Sequence, residues 1–370
     1  MNILFLSTHI NKGGITSYIF TLSKIFYSQG HKIFIASSGG EEEENFKSIG
    51  ADLFIINIKT KSELSPKIYM AIPSLKRYIQ KNKIDIIHSQ TRITQVMGTF
   101  LNKMTKVAHI TTCHGYFKPR LSRKIFGCWG DAVIAISPAV KAHLQQDLGV
   151  TDNKIFFILN GIDLKRFSLC ALHKKKELRN KYNLSEEDII IGIIARLSSV
   201  KGHDILIHAM GEVCKRFPHV RLFIAGEGKT KSTLRQLAKE HRIIDKIIFY
   251  PNVSDTTEIL SLIDIFVMPS RSEGLGLAVM EAQAAGLPVI VSKIGGLPYV
   301  VQHNKTGLLV ESENIKQLSN AIIALIQDRQ LANRLGTMAR EYAFNNYSAE
   351  GMAEETMKVY KKFINKDKDI

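Results

Sequence analysis

Two glutamates, Glu273 and Glu281, stand eight residues apart in an otherwise small and apolar stretch, SRSEGLGLAVMEAQAAGLPVI. Glu281 lies within a helical pattern, Leu277–Ala285, and Glu273 lies in the loop before it. A buried carboxylate is costly unless a partner satisfies it. Hydroxyl groups of a ribose or another sugar are suitable partners, because a carboxylate accepts several hydrogen bonds. An exposed Glu273 and a Glu281 paired with a buried arginine explain the same pattern without a ligand.

Two cations, Arg196 and Lys201, share a second loop, IIARLSSVKGHD. The loop follows a strand pattern and precedes a helix pattern, where a pair of cations suits a diphosphate. The helix after Glu273 starts without a capping side chain, and its first amides attract phosphate. These amides belong to Gly274, Leu275, Gly276 and Leu277. Solvated surface charges and an ordinary helix start are the alternatives.

Glycines follow strand patterns at two further places. Gly13 and Gly14 open a helix after the first strand, and Gly226 follows the run LFIA. Glycine lets backbone amides approach an anion at a helix N-terminus. A tight turn explains the same residues without a ligand.

Short apolar runs alternate with longer helical patterns, which predicts an α/β protein whose parallel sheets are covered on both faces. The predicted strands are Asn2–Leu6, Lys32–Ala36, Ile84–His88, Val107–Cys113, Asp131–Ser137, Lys154–Leu159, Ile189–Ala195, Val220–Ala225, Lys246–Tyr250, Asp264–Met268, Pro288–Val291 and Gly307–Val310. The helical patterns include Ile15–Gln29, Pro66–Lys81, His203–Phe217, Ser232–His241 and Ala349–Ile364. Ligands of such sheets bind beyond the carboxyl ends of the strands, where the loops above lie.

A polar and highly charged stretch between about Lys165 and Asp188 divides the chain. Strand and helix patterns begin afresh after it, so we predict two doubly wound, Rossmann-like domains, residues 1–167 and 168–345, with the linker in the second range. Four cysteines without a CxxC pair indicate reduced thiols of a cytosolic protein. They are Cys113, Cys128, Cys170 and Cys214.

The net charge of +16 is uneven. Residues 1–180 hold 26 Lys and Arg against 12 Asp and Glu, whereas residues 181–370 hold 24 against 22. Such an excess indicates an acidic partner, namely nucleic acid, an anionic membrane or an anionic substrate. No run reaches the ~18 apolar residues of a spanning helix, and the start, MNILFLSTHI, lacks the features of a signal peptide.

Together these motifs resemble the retaining GT-B glycosyltransferases of family 4. The resemblance spans nearly the whole chain in the right order, through GG at 13–14, CHG at 113–115, NGID at 160–163, RLSSVKG at 196–202, GEG at 226–228 and the Glu-x7-Glu stretch. It implies two Rossmann-like domains facing across a cleft, the first binding the acceptor and the second the nucleotide sugar. It also implies a helix at about 346–370 that crosses back to the first domain. Where the family often has Pro-Glu, this chain has Pro298-Tyr299, so Tyr299 receives no role.

The resemblance implies a role for each matched residue. Arg196 and Lys201 would neutralise the leaving diphosphate, Glu281 would hold the ribose and Glu273 the transferred sugar. Gly226 belongs to the implied donor site. The amides of Gly274, Leu275, Gly276 and Leu277 would cradle phosphate or sugar, and Gly13 and Gly14 would close over the diphosphate.

His114 matches the family position that contacts the transferred sugar. A lone histidine after a strand is otherwise more often a hydrogen-bonded structural residue. The one Asp-x-Asp triplet is Asp367-Lys368-Asp369, in a tail that we expect to fray. We therefore expect no metal and no other cofactor, with Arg196 and Lys201 supplying the positive charge.

The expected activity is transfer of a hexose-type sugar, with retention of configuration, from a nucleotide-diphosphate donor. The acceptor would be a glycan or a lipid-linked molecule in polysaccharide or lipopolysaccharide-type biosynthesis. A nucleotide-sugar epimerase of the same fold is the first alternative. A basic nucleic-acid-binding protein is the second, although the cations are not interleaved with stacking aromatics.

Two basic segments predict where this enzyme works. The first, Lys67–Lys83, mixes cations with apolar residues, and the second is FKPRLSRK, just after His114. The cations of the second are Lys118, Arg120, Arg123 and Lys124. Such segments can lie on anionic lipid, so we expect a cytoplasmic enzyme that touches the inner face of the plasma membrane. A core-facing helix with a solvated basic side is the alternative for the first segment.

Overall fold

The computed structural model describes residues 1–60, 62–119, 123, 126–168, 172–253 and 255–364. These residues form two compact α/β units. Unit 1 comprises Met1–Gly161 and the C-terminal segment from Ala349, and unit 2 comprises Ile162–Ser348. The division therefore lies at 161/162, against 167/168 in the sequence-based prediction.

Unit 1 contains a seven-stranded parallel sheet with the order β3-β2-β1-β4-β5-β6-β7. Its strands are β1 (Asn2–Leu6), β2 (Lys32–Ser37), β3 (Asp52–Ile55), β4 (Ile86–Ser89), β5 (Ala108–Cys113), β6 (Ala132–Ala135) and β7 (Ile155–Phe157). Its helices are α1 (Gly14–Ser28), α2 (Glu43–Ser48), α3 (Pro66–Lys81), α4 (Arg92–Thr105) and α5 (Pro138–Gln146).

Unit 2 contains a six-stranded parallel sheet with the order β10-β9-β8-β11-β12-β13. Its strands are β8 (Ile189–Ile194), β9 (Val220–Ala225), β10 (Ile247–Tyr250), β11 (Ile265–Met268), β12 (Val289–Ser292) and β13 (Leu308–Val310). Its helices are α6 (Lys165–Ser168), α7 (Leu172–Lys181), α8 (His203–Arg216), α9 (Lys231–Glu240), α10 (Thr257–Leu262), α11 (Leu277–Ala284), α12 (Leu297–Val300), α13 (Ile315–Gln327) and α14 (Arg329–Asn346). The predicted pair of doubly wound parallel sheets is confirmed.

Helices cover the sheet of unit 1 on both faces, which explains its unbroken apolar strands. In β1, Ile3 and Phe5 enter the core cluster on one face, and Leu4 and Leu6 enter the cluster on the other. Strand β3 was absent from the predicted set. It is an edge strand whose Asp52 and Ile55 are exposed, and its apolar run, Leu53 to Ile55, was overlooked.

The last helix, α15 (Ala349–Ile364), was predicted at these bounds and packs in unit 1. Its Met352 and Tyr360 join the core cluster that contains Phe26. The buried Tyr360 hydroxyl lies 2.6 Å from Nδ1 of His88 in β4. The core of unit 1 thus includes side chains of the last described helix.

Within the described residues, no helix combines the length and the apolar character that a membrane span requires. Cys113, Cys128 and Cys214 are free thiols. Cys170 and the tail triplet Asp367-Lys368-Asp369 lie outside the described residues.

Candidate active site

The carboxyl ends of β8 and β11 lie side by side in the sheet of unit 2. The strand order reverses there, because β9 and β10 lie on one side and β12 and β13 on the other. Open α/β sheets bind ligands beyond the strand ends at such a reversal. The loop after β8 carries Arg196 and Lys201, and the loop after β11 carries Glu273. The topology therefore brings these three predicted residues to one edge of the sheet.

Lys201 and Glu273 form an ion pair across the two loops. Nζ of Lys201 donates to Oε2 of Glu273, and the two side chains keep 21% and 13% of their surface exposed. Lys201 ends a 3₁₀ turn that begins at Ser199. Each of these two predicted ligand-binding residues is thus the partner of the other in this structure.

Arg271, in the loop after β11, forms a second ion pair, with Asp204 in the first turn of α8. Its guanidinium donates to both carboxylate oxygens of Asp204, at 2.9 and 2.7 Å, and to the Ser199 carbonyl at 2.7 Å. It also donates to Glu313 at 2.7 Å. Burial raises the pKa of Asp204, but the hydrogen bonds and charge of Arg271 outweigh it and lower that pKa overall. The sequence analysis gave neither Arg271 nor Asp204 a role.

Arg196 is exposed. Within the described residues, no hydrogen bond or ion pair of its guanidinium is found. Its neighbour Leu197 donates its amide to the Glu227 carbonyl at 2.8 Å. Gly226 packs against this loop so closely that a Cβ there would lie 2.1 Å from the Ala195 carbonyl oxygen. Gly226 therefore lets the loop after β9 support the loop that carries Arg196.

Two glycines that the sequence analysis did not single out hold the neighbouring loops together. A Cβ on Gly202 would lie 1.8 Å from the Pro269 carbonyl oxygen, so the loop after β8 touches the end of β11 through backbone alone. Gly296, in the loop after β12, donates its amide to the Glu273 carbonyl at 3.0 Å. A Cβ there would lie 2.2 Å from the Gly274 carbonyl oxygen. The sequence signal that could have identified Gly202 and Gly296 is the presence of a glycine in a loop that follows a strand.

Helix α11 begins at the predicted position. Gly276 precedes its first residue with φ 97°, a left-handed conformation that favours glycine, and no side chain caps the helix. Gly274 and Leu275 are buried, and Leu277 is half-buried. The amides at this helix start therefore lie in the loop that carries Glu273, where the helix dipole favours an anion.

Glu281 lies in the second turn of α11 and is half-buried. Its Oε2 accepts a hydrogen bond from the Thr256 hydroxyl at 2.9 Å. Burial is the main cause that raises the pKa of the Glu281 carboxyl, and the bond from Thr256 and the charge of Arg166 oppose it. Arg166 itself pairs with Asp255 at 2.7 Å. The alternative without a ligand requires an arginine as the partner of Glu281. The charge of Arg166 does act on Glu281, but the ion pair of Arg166 is made with Asp255.

The predicted residues of unit 1 stand at the ends of β1 and β5. Gly13 and Gly14 are exposed at the start of α1, and a Cβ on Gly13 would meet nothing within 4 Å. Nε2 of His114 lies 2.8 Å from Oε1 of the buried Gln90. The His114 ring stands edge-on to Tyr18, with centroids 4.9 Å apart. Burial lowers the pKa of His114 to about 3, so the imidazole is neutral at pH 7.

The second basic segment is only partly described. Arg123 pairs with Glu63 through Nε at 2.8 Å, and Lys118 is exposed. Arg120 and Lys124 lie outside the described residues. Across the described ranges, no three His, Cys, Asp or Glu side chains are grouped so that they could hold a metal ion.

Two doubly wound parallel-sheet units in one chain are the architecture of the GT-B fold. Residues 12–166 match the family model described as Glycosyltransferase Family 4, and residues 174–342 match that of Glycosyl transferases group 1. The chain belongs to the group 1, family 4 glycosyltransferases and is an enzyme of the hexosyltransferase type.

Three relatives with named activities are similar to this chain in sequence. The N-acetyl-alpha-D-glucosaminyl L-malate synthase of Bacillus anthracis is 25% identical, over 94% of this chain and 93% of its own. The capsular polysaccharide biosynthesis glycosyltransferase CapM of Staphylococcus aureus is 26% identical, over 90% of each chain. A GDP-mannose-dependent alpha-(1-6)-phosphatidylinositol monomannoside mannosyltransferase of Mycobacterium tuberculosis is 33% identical, over 57% of each chain.

The solved structure of Anabaena Alr3699/HepE in complex with UDP-glucose is similar in fold. It superposes with a TM-score of 0.87 at 19% identity, over 98% of this chain and 100% of its own.

Proposed function

We propose that this protein transfers a hexose-type sugar from a nucleoside-diphosphate donor to a glycan or lipid-linked acceptor, with retention of the anomeric configuration. The observation that carries the proposal is the charged cluster at the strand reversal of unit 2. There Lys201 and Glu273 are paired, and Arg196 stands exposed in the same loop as Lys201. Such a cluster can bind a diphosphate and sugar hydroxyls at one place.

The donor is held by unit 2 in this proposal. Arg196 and Lys201 neutralise the diphosphate as it leaves, and the uncapped amides from Gly274 to Leu277 bind phosphate or sugar oxygens. Glu281 accepts hydrogen bonds from the ribose hydroxyls, because Thr256 occupies only its Oε2. Glu273 leaves Lys201 when the diphosphate arrives and binds hydroxyls of the transferred sugar.

Unit 1 supplies the remaining roles. Gly13 and Gly14 offer exposed amides to the diphosphate, and His114 contacts the transferred sugar. The neutral imidazole of His114 forms a hydrogen bond without bringing a charge to the sugar. Gln90 and Tyr18 fix the orientation of that ring.

The transfer itself exchanges one bond for another at the anomeric carbon. The bond from that carbon to the diphosphate oxygen breaks, and a bond to the acceptor hydroxyl oxygen forms on the same face. The acceptor proton passes to the departing phosphate oxygen. The cations stabilise the charge that develops on the diphosphate, which is the main contribution expected of the protein.

The acceptor and setting are proposed from the relatives and the charge. The relatives' names specify a capsular polysaccharide, a phosphatidylinositol mannoside and L-malate. Two of these point to cell-surface polymers or lipids, and an excess of cations suits an anionic acceptor. We therefore place the enzyme in polysaccharide or lipopolysaccharide-type biosynthesis in the cytoplasm, at the inner face of the plasma membrane.

A thermal-shift screen of nucleoside diphosphates tests the donor assignment. A ligand at 100 times its Kd stabilises the folded state by about 2.7 kcal/mol, a shift that is readily measured. The matching nucleotide sugars are then assayed for transfer, and the anomeric configuration of the product is read by NMR. Stabilisation by one diphosphate, followed by transfer with retention, supports the proposal. Interconversion of the donor sugar without an acceptor would make the protein an epimerase, and an inverted product would exclude the proposed chemistry.

A further inference from the structure

A chain of buried polar side chains joins α15 to α1 and to the sheet of unit 1. Tyr360 and Thr356 lie on α15, His88 on β4, Thr112 on β5 and Tyr18 on α1. None of these residues is more than 3% exposed. A buried hydroxyl or imidazole is costly unless it is hydrogen-bonded. The partners of each group therefore show what the chain of side chains holds in place.

The contacts along this chain are continuous. The Tyr360 hydroxyl lies 2.6 Å from Nδ1 of His88, and the Thr112 hydroxyl lies 2.7 Å from Nε2 of the same ring. The Tyr18 hydroxyl lies 3.3 Å from that of Thr112 and forms a second hydrogen bond, with the Thr356 side chain. Helix α15 therefore reaches Tyr18 by two routes, directly from Thr356 and from Tyr360 through His88.

The directions of these bonds follow from counting protons. The Thr356 hydroxyl donates to the Met352 carbonyl at 2.8 Å, so it can only accept from Tyr18. Because its one proton is given to Thr356, the Tyr18 hydroxyl accepts from Thr112. The Thr112 hydroxyl in turn accepts from Nε2–H of His88.

Burial keeps the members of this chain uncharged at pH 7. It lowers the pKa of His88 well below its usual value and raises the pKa of Tyr18 to about 12. It also raises the pKa of Tyr360. A neutral imidazole with its proton on Nε2 accepts through Nδ1, so Tyr360 donates to His88. All the bonds then point the same way, from Tyr360 to the Met352 carbonyl, and each holds one proton.

Tyr18 connects this chain to His114. The two rings stand edge to face, with centroids 4.9 Å apart and planes at 77°. Nε2 of Gln90 donates to the His88 carbonyl at 3.5 Å, and Oε1 of Gln90 lies 2.8 Å from Nε2 of His114. Because Oε1 only accepts, His114 donates from Nε2–H and keeps Nδ1 as an acceptor. The His114 ring is thus held by Gln90 through one nitrogen and by Tyr18 through an edge contact.

We propose that Thr356 and Tyr360 of α15 are positioning residues for sugar transfer, which act through Tyr18 on His114. Their hydrogen bonds fix the Tyr18 ring, and that ring limits the orientations of the imidazole. A group that contacts the reacting sugar has to be held in place before the reaction, because small displacements lower the rate. The inference rests on the proposed function for the contact between His114 and the sugar. Its alternative is that the chain satisfies buried groups and affects stability alone.

Substitutions along the chain separate the two roles. Thr356→Val keeps the size of the side chain but removes the acceptor of the Tyr18 hydroxyl, whereas Thr356→Ser keeps that acceptor and loses only a methyl group. Tyr18→Phe and Tyr360→Phe each remove a hydroxyl and keep the ring. The matched control is Thr99→Val on α4, because the Thr99 hydroxyl likewise donates to a carbonyl one helical turn earlier, that of Gln95, at 3.0 Å. Thermal melts establish that each variant is folded.

Steady-state transfer is measured well below the melting temperatures, together with the affinity for the nucleoside diphosphate alone. We expect Thr356→Val and Tyr18→Phe each to lower kcat about tenfold, and Tyr360→Phe to lower it less, because Tyr360 acts through two further groups. Thr356→Ser and the control should keep the wild-type kcat. The diphosphate lacks the transferred sugar, so its Kd should not change. The double variant, Thr356→Val with Tyr18→Phe, should lose no more than Tyr18→Phe alone, since both changes remove one interaction.

Long-range proton–nitrogen correlation spectra of the imidazoles test the chain without any transfer. We expect His88 and His114 to be protonated on Nε2 in the wild type, and the His114 signals to shift in Thr356→Val but not in Thr356→Ser. Equal kcat in those two variants, wild-type kcat in Tyr360→Phe, additive losses in the double variant, or His88 protonated on Nδ1 would overturn the proposal. If no nucleotide sugar is turned over, the proposed function fails, and the His114 signals alone decide whether α15 positions the ring.

Discussion

Lys201 and Glu273 neutralise each other across the loops after β8 and β11, although they are proposed to bind different parts of one donor. A diphosphate attracts Lys201 with two negative charges, where Glu273 offers one. Donor binding would therefore release the carboxylate of Glu273 beside the sugar. The ion pair keeps both side chains oriented until then, which limits the cost of ordering them on binding.

Replacing either cation of the loop after β8 should slow transfer severely. We expect Lys201→Ala and Arg196→Ala each to lower kcat by about 10²–10³, because one electrostatic contact to the developing charge is lost. The melting temperature should change little for Arg196→Ala, whose side chain is exposed. Steady-state kinetics with saturating acceptor measure the effect, and Lys239→Ala, at an exposed site on α9, is the control. Near-normal turnover in both variants would remove these residues from the site.

Glu281→Gln should weaken nucleotide binding more than it lowers stability. The amide keeps the size of the side chain but presents only one acceptor oxygen to the ribose hydroxyls. Isothermal titration with the nucleoside diphosphate gives the affinity, and Glu240→Gln, on the exposed part of α9, is the control. An unfolded variant whose residual folded fraction binds normally would make Glu281 a structural residue.

The pH dependence of Glu281→Gln follows from the raised pKa of this carboxyl. A carboxyl with a raised pKa binds its proton more readily in the folded state, so it favours folding at low pH and this contribution is lost as the pH rises. The glutamine side chain does not ionise, so the variant does not lose this stability as the pH rises. We expect it to be at least as stable as the wild type at pH 7, with the difference shrinking as the pH falls towards 4. Denaturant melts across this range measure it, and a difference that grows on acidification contradicts the assignment.

Arg271 and Asp204 should act as a unit in holding the loop after β11 to the start of α8. Arg271→Ala and Asp204→Ala are each expected to lower kcat/KM and stability, because the first leaves the half-buried Asp204 without its arginine and the second leaves Arg271 with only Glu313 as an acidic partner. The double variant should lose less than the sum of the two, with a coupling of about 1 kcal/mol. A double-mutant cycle in chemical denaturation measures this. Strict additivity would mean that the bidentate contact contributes nothing.

Chelation should leave the activity unchanged. Arg196 and Lys201 are the charges proposed to stabilise the leaving diphosphate, a role that a divalent cation fills in many other transferases. We expect full transfer in excess EDTA, assayed with protein that was dialysed against chelator beforehand. Activity that disappears with EDTA and returns with Mg²⁺ or Mn²⁺ would contradict this assignment.

The sequence predicted most of the sheets because buried parallel strands are read directly as apolar runs. Val220–Ala225 was predicted at its observed bounds, and Asp264–Met268 differs from its strand by one residue. Strand β3 was missed although Leu53, Phe54 and Ile55 form a short apolar run, the same signal by which the other strands were predicted. The pairing of Lys201 with Glu273 was not predicted, because the sequence does not give the strand order that places β8 beside β11.

The contacts of single charged side chains could not be predicted in this way. Asp204 and Arg271 both stand in the stretches quoted from the sequence, but the sequence pattern of a charged residue is the same whether its side chain is solvated or forms an ion pair. Arg123 was assigned to a membrane-facing cluster, yet it reaches Glu63, 60 positions earlier in the chain. Such pairings depend on the packing of distant loops, which neither composition nor periodicity records.

The return of α15 to unit 1 constrains the order in which the chain can fold. Tyr360 and Met352 are part of the core of unit 1, yet the ribosome adds them after all of unit 2. During synthesis the whole sequence of unit 2 is available before α15 is made. Until then, the apolar side chains around Phe26 that α15 covers remain exposed in unit 1. Domains that emerge early usually finish folding early, but here the N-terminal unit cannot complete its core until α15 has been synthesised. A fragment ending at Gly161 would keep that groove exposed permanently and is expected to aggregate.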